Sequence, residues 1–309
     1  MNRIAIVGSG AVGGYYGARL AESGLNVHFL LKSDYEHIQK HGWSIKSVHG
    51  DIELPSVQCA RRAGEIGPVD LVIVAWKTTA NQHYREVIGP LIDKNTLILS
   101  LQNGLGSTEE LARIFGAWRI FGGLCFVCIN RTAPGQLCHS ASGLVRVGQL
   151  EPDSARIPQR LAALVDLLKG ANIHAQAVSD LEKAQWMKLI WNIPFNGLAI
   201  AEGGVDTGEL LRRPGMEERI RRLMKEVQAA ANAMGHHIED DFLDQQIEVT
   251  RPMKAYRPSS MIDYLEGREV EVDSIWREPL SRARILGVEM PELERLFTEI
   301  DERILCRGN

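Results

Sequence analysis

A glycine-rich stretch near the start of the sequence constrains the fold more than any other feature. It has the spacing G-x-G-x-x-G and consists of Gly8, Ser9, Gly10, Ala11, Val12 and Gly13. A β-branched run at residues 3–7 precedes it, a helical pattern follows at 11–22, and a second apolar run occupies 26–31. Strand, glycine turn, helix and strand in this order are typical of the βαβ unit that binds a dinucleotide.

Each glycine of the motif has a physical role in that unit. Gly8 permits the tight turn, Gly10 lets the backbone approach a pyrophosphate, and Gly13 lets the helix lie close to the strand. The N-terminus of the helix offers N–H groups and the positive end of the helix dipole to phosphate groups. We therefore predict that the residues of this motif bind the diphosphate of a nicotinamide dinucleotide.

The residues after the second strand predict which dinucleotide is bound. Units that bind NAD usually have an acidic side chain there, which binds the ribose 2′-hydroxyl group. This chain has Lys32 followed by Ser33, a cation and a hydroxyl donor that suit a 2′-phosphate. We therefore predict NADP as the cofactor, with Lys32 at the 2′-phosphate. The alternative is a solvated lysine at the end of a strand.

Length and charge exclude several classes of protein. At 309 residues the chain is long enough for two domains. Its formal net charge of −4 gives no overall attraction to nucleic acid or to an anionic membrane surface. No apolar run reaches the length of a membrane span, and the N-terminus lacks the pattern of a signal peptide. We expect a cytoplasmic protein without a nucleic-acid or membrane partner.

The cysteines do not form a metal-binding pattern. There are five of them, and an odd number without a regular framework indicates reduced thiols. Cys125 and Cys128 fall in a predicted strand, where an offset of three residues places them on opposite faces. We therefore predict no metal site.

The order of predicted elements divides the chain into two parts. Strands are predicted at 3–7, 26–31, 44–48, 52–57, 70–75, 96–101, 121–129, 135–139, 144–147 and 173–178. Helices are predicted among them at 11–22, 79–88, from 107 onwards and at 157–169; beyond 179 only helices are predicted, at 181–200, 213–234, 240–250, 258–265, 271–286 and 291–305. The predicted fold class is an α/β Rossmann-type dinucleotide-binding domain (1–179) followed by an all-α C-terminal domain (180–309).

Two polar residues follow buried strands of the first domain. Ligands of open α/β sheets bind beyond the carboxyl ends of the strands. Lys77 follows the strand predicted at 70–75, within reach of cofactor phosphates, although a surface lysine fits this position equally well. Asn103 follows the strand predicted at 96–101, and its amide could hold a nicotinamide or substrate oxygen. Asn103-Gly104 is also a common turn pair.

The first helix of the second domain has a polar face in apolar surroundings. Lys188, Asn192 and Asn196 recur every four residues and therefore share one face of the helix. A lysine among tryptophan and isoleucine side chains would be partly desolvated, which lowers its pKa and makes it a better proton donor near neutrality. The alternative is a polar stripe that meets solvent.

Two later helix starts offer groups for a substrate carboxylate. The helix predicted at 258–265 begins with two serines, of which Ser260 is the second, and helix starts present unpaired N–H groups. The next helix begins among three acids, Glu269, Glu271 and Asp273. Their spacing does not decide which of them faces a substrate, and acids near a helix start also stabilise the helix dipole.

Together these motifs resemble the 2-dehydropantoate 2-reductase family, also called ketopantoate reductase. The resemblance spans nearly the whole chain and rests on the glycine motif, Lys32, Lys77, Gln102-Asn103-Gly104, Trp186-x-Lys188, Asn192, Asn196, Ser259-Ser260-Met261 and Glu271-Val272-Asp273. It implies an NADPH-dependent oxidoreductase that reduces the keto group of ketopantoate to give pantoate, on the route to pantothenate and coenzyme A.

The resemblance also implies roles for individual residues. Lys188 is then the general acid that protonates the developing alkoxide, and Glu271 binds the hydroxyl side of the substrate. The residues that it implies for placing the substrate are Asn103, Asn192, Asn196 and Ser260. From its place after a strand, Asn103 is also a candidate for contacting the cofactor.

The chain departs from the family pattern at three places. Lys32 stands where the family often has arginine, the segment from Ser260 to Glu271 is one residue shorter, and Pro194 lies between the two asparagines. Such differences also mark divergent paralogues, so a reductase of another 2-keto acid is the alternative activity. The alternative from another class is a sensor that binds NADPH without turnover. The sequence determines neither regulation nor the oligomeric state, for which a homodimer stays open.

Overall fold

Two compact units make up the computed structural model, which describes residues 1–151 and 157–307. The first unit consists of Met1–Gln102 and Ser107–Leu181, and the second of Asn103–Gly106 and the part of the chain from Glu182 onwards. The sequence places the change of character at residue 179. The structure divides the chain after Leu181 and assigns the short segment Asn103–Gly106 to the second unit.

Ten strands of the described chain form one sheet in the first unit. They are β1 (Arg3–Val7), β2 (Asn26–Leu30), β3 (Trp43–Ser47), β4 (Ile52–Leu54), β5 (Gln58–Ala60), β6 (Leu71–Val74), β7 (Leu97–Ser100), β8 (Ile120–Ala133), β9 (Gln136–Gln149) and β10 (Ala175–Ala177). Six of them run parallel in the order β5-β2-β1-β6-β7-β8. This is the strand order of a doubly wound dinucleotide-binding sheet, with its switch point between β1 and β6.

Four further strands extend this sheet at one edge. Strand β9 runs antiparallel to β8 and parallel to β3, and β3 pairs with β4 in antiparallel direction. Strand β10 adds to β9 in parallel direction. The parallel part therefore carries the dinucleotide-binding topology, and the long β8–β9 pair continues beyond it.

Apolar residues cover both faces of the parallel strands. The helices of this unit are α1 (Ala11–Glu22), α2 (Tyr35–His41), α3 (Ala63–Ile66), α4 (Tyr84–Ile88), α5 (Ser107–Phe115) and α6 (Ile157–Gly170). In β1, Ile4 and Ile6 belong to one buried cluster, whereas Ala5 and Val7 belong to a second cluster. Because successive side chains of a strand point to opposite faces, these clusters are the two layers of the core.

The second unit is helical. Its helices are α7 (Leu181–Ala201), α8 (Thr207–Arg212), α9 (Met216–Ala233), α10 (Asp240–Thr250), α11 (Ser259–Leu265), α12 (Glu278–Ile285) and α13 (Pro291–Arg307), and one π-helical turn covers Asp273–Arg277. They enclose a single buried cluster that includes Trp186 and Trp276. An α/β sheet unit and a helical unit are the fold class that the sequence predicts, which is thereby confirmed. None of the described helices is long and apolar enough to cross a membrane.

Several predicted elements of the first unit need correction. The strands predicted at 135–139 and 144–147 are one strand, β9. The small residues at 140–143 have the composition of a turn, which is why the sequence predicts a break there. In the structure this part of β9 stays paired with β8 through register shifts, and Ser142 has a φ of 64°. Strand β5 and helices α2 and α3 are absent from the prediction because they are short. The helix predicted at 79–88 is a 3₁₀ turn at Thr78–His83 followed by α4.

Two helices predicted in the second unit are each divided. The helix predicted at 213–234 begins only at Met216, because Gly215 has a φ of +75° and separates α9 from the unpredicted α8. The helix predicted at 271–286 consists of the π-helical turn at Asp273–Arg277 followed by α12. Periodicity does not distinguish a π-helical turn from an α-helical one over so few residues.

Candidate active site

The glycine turn of the first unit requires glycine at two of its three motif positions. Gly8 has a φ of +93°, and a Cβ atom there would lie 2.1 Å from the main-chain nitrogen of Trp76. A Cβ atom at Gly13 would lie 2.3 Å from the carbonyl oxygen of Gly8. Side chains at these positions would therefore strain the turn or push α1 away from it.

Gly10 differs from the other two, because the fold itself does not require glycine there. Its backbone is extended, with φ −78° and ψ −150°. A Cβ atom at Gly10 would meet no atom of the described residues within 4 Å. The turn thus leaves open space at the position where a bound pyrophosphate would exclude a side chain.

The start of α1 fits an anionic ligand. Ala11 and Val12 form its first turn and are half-buried, and this turn carries no acidic side chain. The hydroxyl group of Ser9 lies 3.2 Å from the carbonyl oxygen of Leu30 and 3.4 Å from that of Ile6, so it ties the turn to β1 and β2. An N-terminal turn without acids can accept phosphate through its N–H groups.

The end of β2 carries an ion pair that the sequence prediction does not include. Lys32 is exposed, which fits both a contact with a 2′-phosphate and a solvated lysine. Asp34 is nearly buried, and its Oδ1 accepts hydrogen bonds from the hydroxyl group of Ser33 at 3.0 Å and from Arg131 at 2.6 Å. The pairing could not be predicted from the sequence, because Arg131 is 97 residues away from Asp34 and no local pattern connects them.

Lys77 lies at the carboxyl end of β6. It is the residue before the 3₁₀ turn at Thr78–His83, and it is half-buried. Its neighbour Trp76 contacts the Gly8 turn, as described above. Lys77 therefore follows directly after a residue that touches the glycine motif.

In the second unit the candidate acid is hydrogen-bonded to a second candidate site residue. Lys188 lies on α7 and is half-buried, and its Nζ donates a hydrogen bond to Oδ1 of Asn103 at 2.8 Å. Asn103 belongs to the second unit, although the residues on both sides of Asn103–Gly106 belong to the first. The structure thus brings together two residues that the sequence assigned to different domains.

The segment around Asn103 is held by the π-helical turn. The N–H group of Leu105 donates to the carbonyl oxygen of Ser274 at 2.9 Å. Gly104 has a φ of +83°, and a Cβ atom there would lie 2.3 Å from the same oxygen. Glycine is therefore required at 104 for this approach. Sequence reasoning missed Ser274, whose role depends on its carbonyl group and leaves no side-chain signal. Turns of the π type are frequent at functional sites.

Asn192, Asn196 and Ser260 are buried, with exposed fractions of 8%, 2% and 2%. The amide nitrogen of Asn196 donates to the carbonyl oxygen of Asn192 at 3.1 Å, and its Oδ1 accepts from the N–H group of Ser260 at 2.9 Å. Asn196 therefore joins α7 to the start of α11.

Asn196→Leu is expected to destabilise the second unit. The substitution leaves the buried N–H group of Ser260 without its acceptor, which costs about 1–3 kcal/mol. Thermal unfolding should show the loss as a melting temperature lower by about 2–4 °C for each kcal/mol. An unchanged melting temperature would mean that this hydrogen bond contributes nothing to stability.

Burial separates the three candidate acids. Glu271 is buried, with 8% of its surface exposed, whereas Glu269 is exposed. The side chain of Asp273 is 82% exposed and forms an ion pair with Arg277 at 2.8 Å. All three belong to the second unit, and of the three only Glu271 is buried. Among the described residues no group of three or more histidine, cysteine or acidic side chains could hold a metal ion.

Two family models match the chain. Residues 4–152 match the family described as ketopantoate reductase PanE/ApbA, and residues 180–303 match ketopantoate reductase PanE/ApbA C terminal. A 2-dehydropantoate 2-reductase from Nostoc sp. is 38% identical over 300 residues, which are 96% of this chain and 94% of that protein.

Solved structures match over the same length. The crystal structure of a 2-dehydropantoate 2-reductase from Geobacter metallireducens is 44% identical, with a TM-score of 0.94 over 97% of this chain and 99% of that one. A ternary structure of D-mandelate dehydrogenase with NADH and anilino(oxo)acetate has a TM-score of 0.91 over 99% of this chain and 100% of that one. Its identity of 21% shows a shared fold.

Proposed function

The chain belongs to the ketopantoate reductase family. On this premise we propose that it reduces 2-dehydropantoate to pantoate with NADPH. The reaction is a step in the biosynthesis of pantothenate and coenzyme A. The observation that carries the proposal is the hydrogen bond between Lys188 and Asn103. It gives a half-buried ammonium group a fixed direction on a helix whose two asparagines are buried.

Membership of the family confirms the resemblance stated from the sequence motifs. It also confirms that the chain is an oxidoreductase that uses a nicotinamide dinucleotide. A small keto acid is the class of substrate that the family implies. The choice of ketopantoate among such acids, and of NADPH as the cofactor, are parts of our proposal.

We assign the proton transfer to Lys188. When bound, the nicotinamide cofactor would supply the hydride for the keto carbon of the substrate. The charge on Nζ of Lys188 polarises the keto group beforehand, and Nζ then donates a proton to the oxygen that becomes the alcohol. An ammonium group has three donors and no acceptor, so Lys188 can bond to Asn103 and to a substrate oxygen together.

The substrate contacts are assigned to polar groups of the second unit. Glu271 would accept a hydrogen bond from the hydroxyl group of the substrate, which its burial makes stronger than in water. Ser260 would contact the substrate through its hydroxyl group, since its N–H group is bonded to Asn196. Asn192 and Asn103 would orient the substrate by their amide groups.

The cofactor contacts are assigned to the first unit. The turn from Gly8 to Gly13 and the start of α1 would bind the diphosphate, and the space over Gly10 supports this assignment. Lys77 would reach the phosphates from the end of β6. Lys32 would contact the 2′-phosphate, and this contact is the reason for proposing NADPH over NADH.

Lys32→Glu is expected to weaken NADPH far more than NADH. A charge-assisted contact contributes about 1.5–3 kcal/mol, so the preference for NADPH should fall about tenfold or more. The ratio of kcat/KM for the two cofactors measures the preference. Lys40→Glu, at an exposed lysine in the last turn of α2, is the matched control. Equal losses of kcat/KM for NADPH and NADH would show that Lys32 does not contact the 2′-phosphate.

Steady-state oxidation of NADPH with ketopantoate and a panel of other 2-keto acids tests the proposed function. The expected result is the highest kcat/KM for ketopantoate. A higher kcat/KM for another 2-keto acid would show that ketopantoate is not the preferred substrate, while the proposed role of Lys188 would still apply. NADPH binding without oxidation by any acid of the panel would favour the non-catalytic sensor and contradict the proposal.

A further inference from the structure

We propose that Arg131 is a selectivity-determining residue for NADPH, because it neutralises the acidic side chain at the end of β2. The inference rests on the proposed use of NADPH and extends it to a residue outside the βαβ unit. It is carried by the contacts of Asp34 and by the position of Arg131 in the sheet.

Asp34 is an acidic residue two positions after Lys32, the residue that we assign to the 2′-phosphate. It follows the end of β2, which is Leu30, by four residues. Acidic side chains near this end of the second strand serve NAD-binding units by holding the ribose 2′-hydroxyl group. A carboxylate with an uncompensated charge there would repel a phosphate, and Lys32 alone would only balance it.

The structure compensates this charge with Arg131. The side chain of Asp34 is 8% exposed, and its Oδ1 receives both the Arg131 bond at 2.6 Å and the Ser33 bond at 3.0 Å. Bonds between two charged groups are the strong ones among protein hydrogen bonds. The side chain of Arg131 is 43% exposed, so part of its guanidinium group faces solvent. A guanidinium group has five N–H donors.

The strand register places Arg131 on the face of the sheet against which α1 packs. Arg131 on β8 is directly opposite Leu137 on β9. A Cβ atom at Gly14, in the first turns of α1, would lie 3.0 Å from Cδ1 of Leu137. Because directly opposed residues of an antiparallel pair point to the same face, Arg131 and Leu137 both lie on the α1 side of the sheet. Arg131 therefore bonds to Asp34, beyond the end of β2, from the face of the sheet against which α1 packs.

The charges around this position leave one net positive charge. Arg131 and Asp34 compensate each other, and Lys32 remains exposed beside them. Arg61, which lies over the ring of the neighbouring Tyr35, forms an ion pair with Glu36. Loss of Arg131 would therefore leave Asp34 facing Lys32 alone and remove the attraction for a 2′-phosphate.

Binding of two cofactor fragments to the full chain tests the inference without turnover. Calorimetric titration compares 2′,5′-ADP, which carries the 2′-phosphate, with 5′-AMP, which lacks it. Arg131→Ala should weaken 2′,5′-ADP about tenfold or more and change 5′-AMP little. Asp34→Asn in the Arg131→Ala background should recover most of the lost affinity. Arg146→Ala, an arginine on β9 that lies over Phe126, is the matched control.

The outcomes separate this inference from the proposed function. A wild-type chain that binds both fragments equally would contradict the use of NADPH itself. A wild-type chain that prefers 2′,5′-ADP, together with an Arg131→Ala variant that keeps this preference, would overturn the role of Arg131 alone. Should Arg131→Ala unfold, Arg131→Lys keeps the charge and is expected to keep the preference. Loss of the preference in a folded Arg131→Lys variant would contradict charge compensation.

Discussion

Lys188→Ala is expected to lower kcat by about 10²–10⁴-fold, the usual effect of removing a positioned acid. The oxygen of the substrate then receives neither the charge nor the proton of Nζ during reduction. NADPH affinity should barely change, because Lys188 lies in the second unit and the glycine motif lies in the first. Steady-state kinetics and a separate titration with NADPH measure the two quantities.

Two further variants test whether the loss of kcat is specific to the side chain of Lys188. Lys183→Ala changes a lysine of the same helix and should leave kcat near the wild-type value. Lys188→Arg should rescue little, since a guanidinium group keeps the charge but holds its proton too tightly. The wild-type pH–rate profile should fall at high pH, and this limb should be absent from Lys188→Ala. A near-normal kcat in Lys188→Ala would contradict the role of Lys188 as general acid. The polar face of α7 would then have only a structural role.

Gly10→Ala is expected to leave the fold intact and weaken NADPH about tenfold or more. The extended backbone at Gly10 accepts alanine, and its Cβ atom would occupy open space in the protein alone. In the complex this atom would hold the pyrophosphate away from the N–H groups of α1, whose charge-assisted bonds contribute about 1.5–3 kcal/mol each. Fluorescence titration with NADPH and thermal unfolding give the two readouts.

Gly64→Ala serves as the control for Gly10→Ala. Gly64 lies in α3, and a Cβ atom there also meets no atom of the described residues within 4 Å. Neither property should change in this variant beyond the small gain in stability that alanine gives a helix. If Gly10→Ala bound NADPH as tightly as the wild type, the pyrophosphate would not lie over this turn.

The dinucleotide-binding part of the fold could be predicted because its signals are local. Residues 4–7 are apolar throughout, and they are buried on both faces of β1. Gly8 and Gly13 are glycines for reasons that lie within the turn or directly against it. A pattern of residues within one short segment is sufficient to identify such a unit.

The place of Asn103 could not be predicted, because it depends on distant residues. The rule that ligands meet the carboxyl ends of strands groups Asn103 with the first sheet. Its segment is held instead by Ser274 and bonds to Lys188, and both lie far along the chain. No periodicity within residues 96–106 contains this information.

Some of the charged site residues could also be predicted from local sequence, and others could not. Lys32 is conspicuous in the sequence because it stands at the end of a recognisable strand. Arg131 is not, since its partner Asp34 becomes its neighbour only through the arrangement of β8 in the sheet. Likewise, spacing leaves Glu269 and Glu271 equivalent, and only the folded chain buries one and exposes the other.

Transfer of deuterium from NADPH to the product tests whether this chain reduces ketopantoate. The purified chain is incubated with ketopantoate and NADPH labelled with deuterium at either of the two C4 positions of the nicotinamide, and the product is analysed by mass spectrometry. We expect pantoate with deuterium at its carbinol carbon from one of the two labelled cofactors, and a much lower yield of it from Lys188→Ala. Binding of NADPH without formation of labelled pantoate from either cofactor would show that the chain is not a ketopantoate reductase.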